Sequence, residues 1–175
     1  DLQAIEREMS PKLAAHGAAI SMNAALFKRI DAAVASAAGL NDEQARVLSR
    51  IHKDFIRSGA KLDEAQKARM AQIVERMAVL GTQFGQNLLA DEADFVMELG
   101  EDDMAGLPDS LRASAVRTAK ERGLSCAYAI TLSRSHVEPF LETSTRRDLR
   151  EILFNAFVAR GARGGPSDNH AIINE

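Results

Sequence analysis

The sequence predicts a mainly α-helical fold, an antiparallel helical bundle with a possible small two-stranded β element. Three observations support this prediction. Apolar residues recur every three or four positions along the first half of the chain, which is the spacing of one helix face. Capping signals stand among these runs. The links between the runs are short, which favours antiparallel packing. With 175 residues, the chain is long enough to bury a core.

Start and stop signals delimit the first three predicted helices. Ser10 and Pro11 predict the start of the first helix. Ser caps free N–H groups, and Pro at the first helical position lacks an N–H that would have no partner within the helix. Gly39 ends that run. Residues 41–44 and 63–66 are predicted capping boxes that open the next two helices, the first of which stops at Gly59. The apolar faces of the three runs are Leu13, Ile20, Phe27, Ile30 and Val34; Leu48, Ile51 and Phe55; and Met70, Ile73, Met77, Leu80, Phe84 and Leu88.

The pattern changes after residue 91. Residues 94–100 and 126–132 are short apolar segments and are predicted to be two strands, which need helices packed on them to be stable. Between them we predict a loop over 101–107 and a helix from Pro108 to Gly123. Ser135 to Glu138 predicts a third capping box, and Ser144 is expected to cap a helix with Leu149, Leu153 and Phe157 on one face. Residues 161–166 form a breaker-rich link, after which 167–169 begin a last helix.

We therefore expect a single domain over 1–175, with a helical bundle over 1–91, a mixed segment over 92–143 and helices over 144–175. The composition indicates no nucleic-acid partner, because the net charge is -3, Trp is absent and Tyr occurs once. No apolar stretch approaches the roughly 20 residues that span a membrane. The single cysteine, Cys126, excludes a disulfide within the chain and is expected to be a small buried side chain. This fits a reducing compartment, and we expect a cytoplasmic location.

No catalytic or metal-binding motif is recognisable. Zinc peptidases need ligands on one face, such as two His four residues apart with a Glu between them. None of the four histidines lies four residues from another: His16, His52, His136 and His170. His136 and Glu138 have the H-x-E spacing of zinc deaminases, but no C-x-x-C follows. We predict no catalytic residue and no metal ligand, and no substrate-binding residue can be named.

Two glycine patterns leave alternatives open. Gly161, Gly164 and Gly165 follow a helix and precede no Lys, so we favour a flexible link over a phosphate-binding loop. Gly81 and Gly85 lie inside a predicted helix, where each costs about 1 kcal/mol relative to Ala. Tight helix packing is the favoured explanation. The alternative is a groove in which the backbone meets a ligand or another domain, beside the polar residues Gln83, Gln86 and Asn87.

Charged residues form two further clusters. The first mixes both signs and is expected to be a solvated, ion-paired helix face rather than a nucleic-acid patch; it contains Arg146, Arg147, Asp148, Arg150 and Glu151. The second is acidic and is expected to be a solvated loop rather than an acid/base pair; it contains Glu98, Glu101, Asp102 and Asp103.

The order of several segments resembles one family of zinc metallopeptidases, that of thimet oligopeptidase, oligopeptidase A and the peptidyl-dipeptidases. The segments that carry the resemblance are Ser10 to His16, Asn23 to Ile30, Leu80 to Asp91, Gly106 to Pro108, Tyr128 to Leu132, Arg146 to Ala156, and Asp168 to Ile173. They keep the family's order across nearly the whole chain, and the segment Leu80 to Asp91 is similar to the family's L-x-x-x-F-x-x-N-[VL]-L pattern.

The resemblance implies that the chain is the non-catalytic N-terminal helical region of a larger zinc peptidase. In that family the zinc lies downstream, on two His of H-E-x-x-H and a distant Glu, so no site residue is carried over. We expect no cofactor here, zinc in the full-length protein, and a role in the wall of a channel that admits short peptides. The expected partner is the C-terminal catalytic domain of the same polypeptide, and an exposed apolar face would allow self-association. The alternative is a stand-alone helical protein-interaction module.

Overall fold

A computed structural model describes all 175 residues and confirms the prediction of a mainly helical fold with a two-stranded sheet. Its elements are α1 (Leu2–Ser21), α2 (Ala24–Ala35), α3 (Asp42–Arg57), α4 (Glu64–Asp94), β1 (Met97–Leu99), a 3-10 turn (Glu101–Met104), α5 (Asp109–Glu121), β2 (Tyr128–Ile130), α6 (Arg134–Thr143), α7 (Arg147–Val158) and α8 (His170–Asn174). The chain divides into two compact units, Asp1–Gln83 and Phe84–Glu175, with the boundary inside α4. The three-part division expected from the sequence stays a prediction.

The first predicted helix is wrong at both ends. It begins at Leu2, where the Asp1 side chain accepts a hydrogen bond from the Gln3 N–H at 3.1 Å. Pro11 therefore lies inside α1, where it removes one backbone hydrogen bond. The run also breaks before Gly39, because the Asn23 side chain accepts from the Leu26 N–H at 2.8 Å and starts α2. Asn23 was overlooked because the apolar periodicity continues across it.

The first unit has a small core between α2 and α3. Phe27 is buried there, and its ring stacks on His52 and Phe55 with centroids 5.5 and 6.5 Å apart. The predicted capping boxes are both formed: Asn41 and Gln44 exchange hydrogen bonds of 2.9 and 3.1 Å, and Asp63 and Gln66 exchange bonds of 2.8 and 3.2 Å. Few large apolar side chains of this unit are buried, so much of its apolar surface stays exposed.

The second unit is organised around the predicted strand pair, which is confirmed but shorter than expected. β1 and β2 are antiparallel, with Met97 opposite Ile130 and Leu99 opposite Tyr128. α5, α6 and α7 complete the core. Its buried members are Met97, Leu99, Met104, Leu107, Leu111, Ala115, Ile130, Leu132, Val137, Phe140 and Leu153. This core gives the three-residue strands the helical support that a lone pair lacks.

Two predicted caps of this unit are wrong. α6 begins at Arg134, so Ser135 lies within the helix and the exposed Glu138 occupies its second turn. Ser144 ends α6; its Oγ accepts from the Arg146 N–H at 3.2 Å, but α7 starts only at Arg147. The predicted loop over 101–107 begins with the 3-10 turn. Local patterns placed both helix starts within about two residues of the observed ones, which is the scale on which helix ends are defined.

Candidate functional site

The four histidines are held in separate surroundings that do not fit a zinc ion. His16 is exposed, and His52 hydrogen-bonds Asp31 at 2.8 Å while it stacks on Phe27. His170 pairs with Asp168 at 2.8 Å. No group of three or more His, Cys, Asp or Glu side chains in the structure could hold a metal ion. The donor set that zinc requires is therefore not assembled by these residues.

The buried His136 is a structural residue rather than a general base. The Thr131 N–H donates to its Nδ1 at 3.1 Å, so the proton of the neutral ring sits on Nε2. Nε2 then donates to Ser114 Oγ at 2.9 Å, which leaves that hydroxyl without a base to activate it. Burial lowers the pKa of His136, and the charges of Arg117 and Arg122 lower it further. The ring therefore stays neutral and links α5 to the start of α6.

Cys126 lies in the bend before β2 and is only partly buried, so the expectation of a buried cysteine is wrong. The strand begins at Tyr128, which pairs with Leu99 of β1, so Cys126 lies outside the sheet.

The two glycines of α4 are not explained by packing within the chain. A Cβ atom placed on Gly81 or on Gly85 would meet no atom within 4 Å, so the favoured explanation, tight helix packing, is wrong here. Asn87, in contrast, has a structural partner: its amide donates to Asn169 Oδ1 at 3.0 Å. The alternative, a groove in which the α4 backbone meets a ligand or another domain, stays a prediction.

A buried carboxylate anchors the glycine-rich link to the end of α4. Asp91 accepts from the Gly161 N–H at 2.8 Å and from Arg163 Nη2 at 2.7 Å. Burial acts to raise the pKa of Asp91, but the hydrogen bonds from Arg163 and Gly161 and the charges of Arg163 and Arg160 outweigh it, so the pKa lies below its ordinary value. Arg160 forms a second ion pair with Glu92. The link is therefore tied down, although its glycines at 161, 164 and 165 all have positive φ.

The acidic cluster is not simply a solvated loop, which corrects the expectation. Glu101 pairs with Arg112 and also accepts from the Tyr128 hydroxyl at 2.6 Å. Asp103 pairs with Arg146. Glu101 and Asp103 therefore pair with neighbouring cations and hold the turn in place, whereas Glu98 and Asp102 are exposed, as expected.

The mixed-charge face of α7 is ion-paired only in part. Arg146 pairs with Asp148 at 2.7 Å, as expected, and this hydrogen bond lowers the pKa of Asp148 to about 2. Arg147, Arg150 and Glu151 instead line an open pocket of about 470 Å³ between α6 and α7. The rest of its lining is Leu141, Phe154 and Asn155.

This α6–α7 pocket is the candidate site of the second unit. Its charged residues were predicted to form one helix face, whereas Phe154 and Asn155 were overlooked. Phe154 lies four residues after Arg150 and Asn155 lies four residues after Glu151, and this spacing, which brings side chains together on a helix surface, could have revealed them. A smaller pocket of about 140 Å³ lies between α2 and α3 and is lined largely by apolar and small residues.

Comparison with known proteins confirms the resemblance to the peptidases. The relatives are dipeptidyl carboxypeptidases and oligopeptidases, and no family model matches the chain. The dipeptidyl carboxypeptidase of Salmonella typhimurium is 36% identical over 178 residues, which cover 99% of this chain and 26% of that protein. The Escherichia coli enzyme of the same name is 32% identical over 99% of the chain.

Oligopeptidase A of Haemophilus influenzae is 30% identical over 75% of the chain and 20% of its own length. The chain thus spans about a quarter or less of the relatives described here. None of its helices is both long and apolar enough to cross a membrane.

Proposed function

We propose that this chain is a non-catalytic helical region of a zinc metallopeptidase that hydrolyses short peptides, and that it forms part of the wall of the substrate channel. The similarity to dipeptidyl carboxypeptidase over 99% of the chain carries the proposal. Oligopeptidase A matches a smaller part of the chain at lower identity. A peptidyl-dipeptidase is therefore favoured over an oligopeptidase.

The proposal assigns the chemistry to the rest of the polypeptide. No three or more of the histidines and carboxylates described above come together as a group that could hold a metal ion. We therefore place zinc and the group that activates water in a C-terminal catalytic domain, and we assign to this chain the task of restricting which peptides reach it. A cytoplasmic location, which the single cysteine favours, is part of the same proposal.

The exposed apolar surface supports docking of another domain. On α7 the side chains of Ile152, Phe154 and Val158 are each at least 50% exposed, while Leu153 between them is fully buried. In the first unit Leu2, Leu13 and Met77 are more than 60% exposed. Clusters of exposed apolar side chains usually mark interaction sites. We assign them to contacts with the catalytic domain, and the uncovered glycines of α4 to the same role.

A chimera tests the proposal. In the Salmonella dipeptidyl carboxypeptidase, the 178-residue segment that matches this chain is replaced by the chain itself. A second protein lacks the segment, and a third carries an unrelated helical domain of similar length. Release of dipeptides from a tetrapeptide is measured by mass spectrometry. We expect activity in the first protein only, because only this chain has side chains that match the interface and the channel.

The isolated chain provides the complementary measurement. Purified chain is incubated with zinc chloride and a quenched fluorescent peptide, and we expect no hydrolysis and no zinc bound after dialysis. Robust hydrolysis by pure material would overturn the non-catalytic assignment. A folded chimera with a full zinc content but no activity would favour the alternative, a stand-alone interaction module, for which the exposed apolar side chains would be the partner surface.

A further inference from the structure

We infer that one face of α3 binds acidic peptide segments and gives the peptidase a preference for substrates that carry several carboxylate side chains. The inference rests on the proposed function, because that function makes peptides the substrates. The surface, which we name the basic face of α3, consists of the exposed side chains of Arg46, Arg50, Lys53 and Arg57. It lies wholly within the first unit.

The spacing of these four cations places them together on the outward side of α3. They follow one another at intervals of four, three and four residues, so they lie within about 60° of one another around the helix axis. Phe55, which stacks on the buried Phe27 of α2, lies on the opposite side of the helix. Because this stacking sets the rotation of α3, the basic face is directed away from the small core of the unit.

The cations of the basic face have no carboxylate partners within the chain. None of the four forms an ion pair, whereas four arginines of the second unit each pair with a carboxylate: Arg112, Arg146, Arg160 and Arg163. Residues 46–61 carry a net charge of +4, although the whole chain carries -3. Solvated helix faces more often mix both signs. The excess of one sign on α3 therefore favours an anionic ligand.

The arrangement is also unfavourable for the free helix. Like charges three or four residues apart destabilise a helix, and the basic face contains three such neighbouring pairs. The negative C-terminal end of the helix dipole favours Arg57, which lies in the last turn. Arg46 and Arg50 lie too far from that end to gain from it. A ligand with several carboxylates would relieve the repulsion of all three pairs at once.

The length of the basic face fits an extended peptide. From Arg46 to Arg57 the helix rises about 16 Å. Alternate side chains of an extended peptide lie on one side and about 6.8 Å apart, close to the rise of about 6 Å between helix residues four apart. Guanidinium groups present paired N–H donors that match a carboxylate. A single-stranded nucleic acid would also need aromatic side chains on which its bases stack, and the basic face has none.

The binding test uses peptides whose two ends are blocked, so that only side chains carry charge. The probes are acetyl-Glu-Ala-Glu-Ala-Glu-amide, its counterpart with Gln in place of Glu, and a single-stranded oligonucleotide of five thymidines. Binding to the ¹⁵N-labelled full chain is followed by NMR at constant ionic strength. Each exposed carboxylate–cation contact contributes a factor of about 1.5 to 5, so we expect the Glu peptide to bind about 10-fold more tightly than the Gln peptide.

Three further results decide the same titration. Chemical shift changes should be concentrated in α3, the affinity of the Glu peptide should fall when sodium chloride is added, and the oligonucleotide should bind more weakly than the Glu peptide. Equal binding of the two peptides, binding of the oligonucleotide as tight as that of the Glu peptide, or shift changes outside the first unit would each overturn the inference.

Matched variants locate the surface. Arg46→Gln/Arg50→Gln should reduce affinity for the Glu peptide about 5-fold, whereas Arg46→Lys/Arg50→Lys retains the charges and should retain most of the affinity. The control Lys120→Gln/Arg134→Gln also removes two exposed, unpaired cations, but from the second unit, and should leave the affinity unchanged. Gln has nearly the helix propensity of Arg, so the first variant should melt no lower than the wild type. An equal loss of affinity in this variant and in the control would contradict the assignment.

The chimera separates this inference from the proposed function. In an active chimera the Glu peptide with a free C-terminus should have a higher kcat/KM than its Gln counterpart. Arg46→Gln/Arg50→Gln should lower this ratio about 5-fold through KM, because the basic face contributes binding away from the reacting bond. An active chimera with an unchanged ratio would overturn the substrate preference alone. An inactive wild-type chimera would overturn the proposed function, while the NMR titration would still decide whether the basic face binds acidic peptides.

Discussion

Replacement of Asp91 by alanine is the most direct test of how the second unit is held together. The Asp91 side chain is 10% exposed, and its carboxylate joins the end of α4 to the glycine-rich link. It accepts from the Gly161 N–H at 2.8 Å and from Arg163 Nη2 at 2.7 Å, and Arg163 Nη2 also donates to the Asp91 carbonyl oxygen at 2.7 Å. Alanine keeps the last of these bonds and removes the others.

The expected loss follows from the groups left behind. An unpaired buried N–H costs about 1–3 kcal/mol, and breaking a fully buried ion pair costs about 3–5 kcal/mol. The Arg163 side chain is 29% exposed, so water can reach part of its guanidinium and the loss falls at the lower end of the second range. We therefore expect Asp91→Ala to lower the free energy of unfolding by about 3 kcal/mol. Asp91→Asn retains an acceptor for Gly161 and should lose about half as much.

Urea unfolding can be read out within the second unit itself. Tyr128 is the single tyrosine and Trp is absent, so intrinsic fluorescence reports on β2. Circular dichroism at 222 nm follows the helices of the whole chain. The control is Asp148→Ala, which removes a carboxylate that also pairs with an arginine but is 61% exposed. Its loss should be much smaller. An Asp91→Ala midpoint no lower than that of the control would refute the role of the buried carboxylate.

The same pair predicts how stability depends on pH. The folded-state pKa of Asp91 lies below its ordinary value of 3.8, so the unfolded chain binds the proton more tightly than the folded one. The contribution of the Asp91 carboxylate to stability is fully present above the unfolded-state pKa and is lost as pH falls through the folded-state pKa. Wild-type protein should therefore lose more stability than Asp91→Asn as the pH is lowered below about 4.

Two further predictions concern His136 and the glycines. The folded-state pKa of His136 lies below 6.5, so the neutral ring contributes fully to stability above pH 6.5, and this contribution is lost as pH falls through the folded pKa. Urea titrations should therefore show a smaller decline in the free energy of unfolding between pH 7 and 5 for His136→Asn than for the wild type. Gly106 has φ +83° and a Cβ would overlap the Thr143 carbonyl oxygen, so Gly106→Ala should destabilise by at least about 1–3 kcal/mol. Gly81→Ala adds a Cβ in open space within a helix and should stabilise the protein by about 0.5–1 kcal/mol. A melting temperature of Gly81→Ala below that of Gly106→Ala would contradict the structural reasoning.

Much of the secondary structure could be predicted from local signals. The capping boxes at Asn41 and Asp63 are present because each side chain bonds a backbone N–H only three residues away. The two strands were found from their short apolar segments. The errors arose where two local signals competed: Pro11 suggested a start, whereas Asp1 caps the helix ten residues earlier. A helix can accept Pro11 because one lost backbone bond is outweighed by the bonds around it.

The pocket was only partly predictable. The arginines of α7 were visible in the sequence, but the sequence did not show that Arg146 is paired while Arg147 and Arg150 are not. That division depends on Asp103, which lies 43 residues away in the chain and is brought beside Arg146 by folding. Likewise, nothing local to Gly81 or Gly85 could show that an added Cβ atom would meet no atom within 4 Å.

By itself, the sequence determined the helical class, the strand pair, the lack of an H-E-x-x-H motif within these residues and the resemblance to the peptidases. The tertiary structure decided which charges are neutralised, which apolar side chains stay exposed, and that Asp91 is buried against a link 72 residues away. The physical reason is the range of the interactions. Helix periodicity and caps act over three or four residues, whereas ion pairing and burial depend on segments that only the fold brings together.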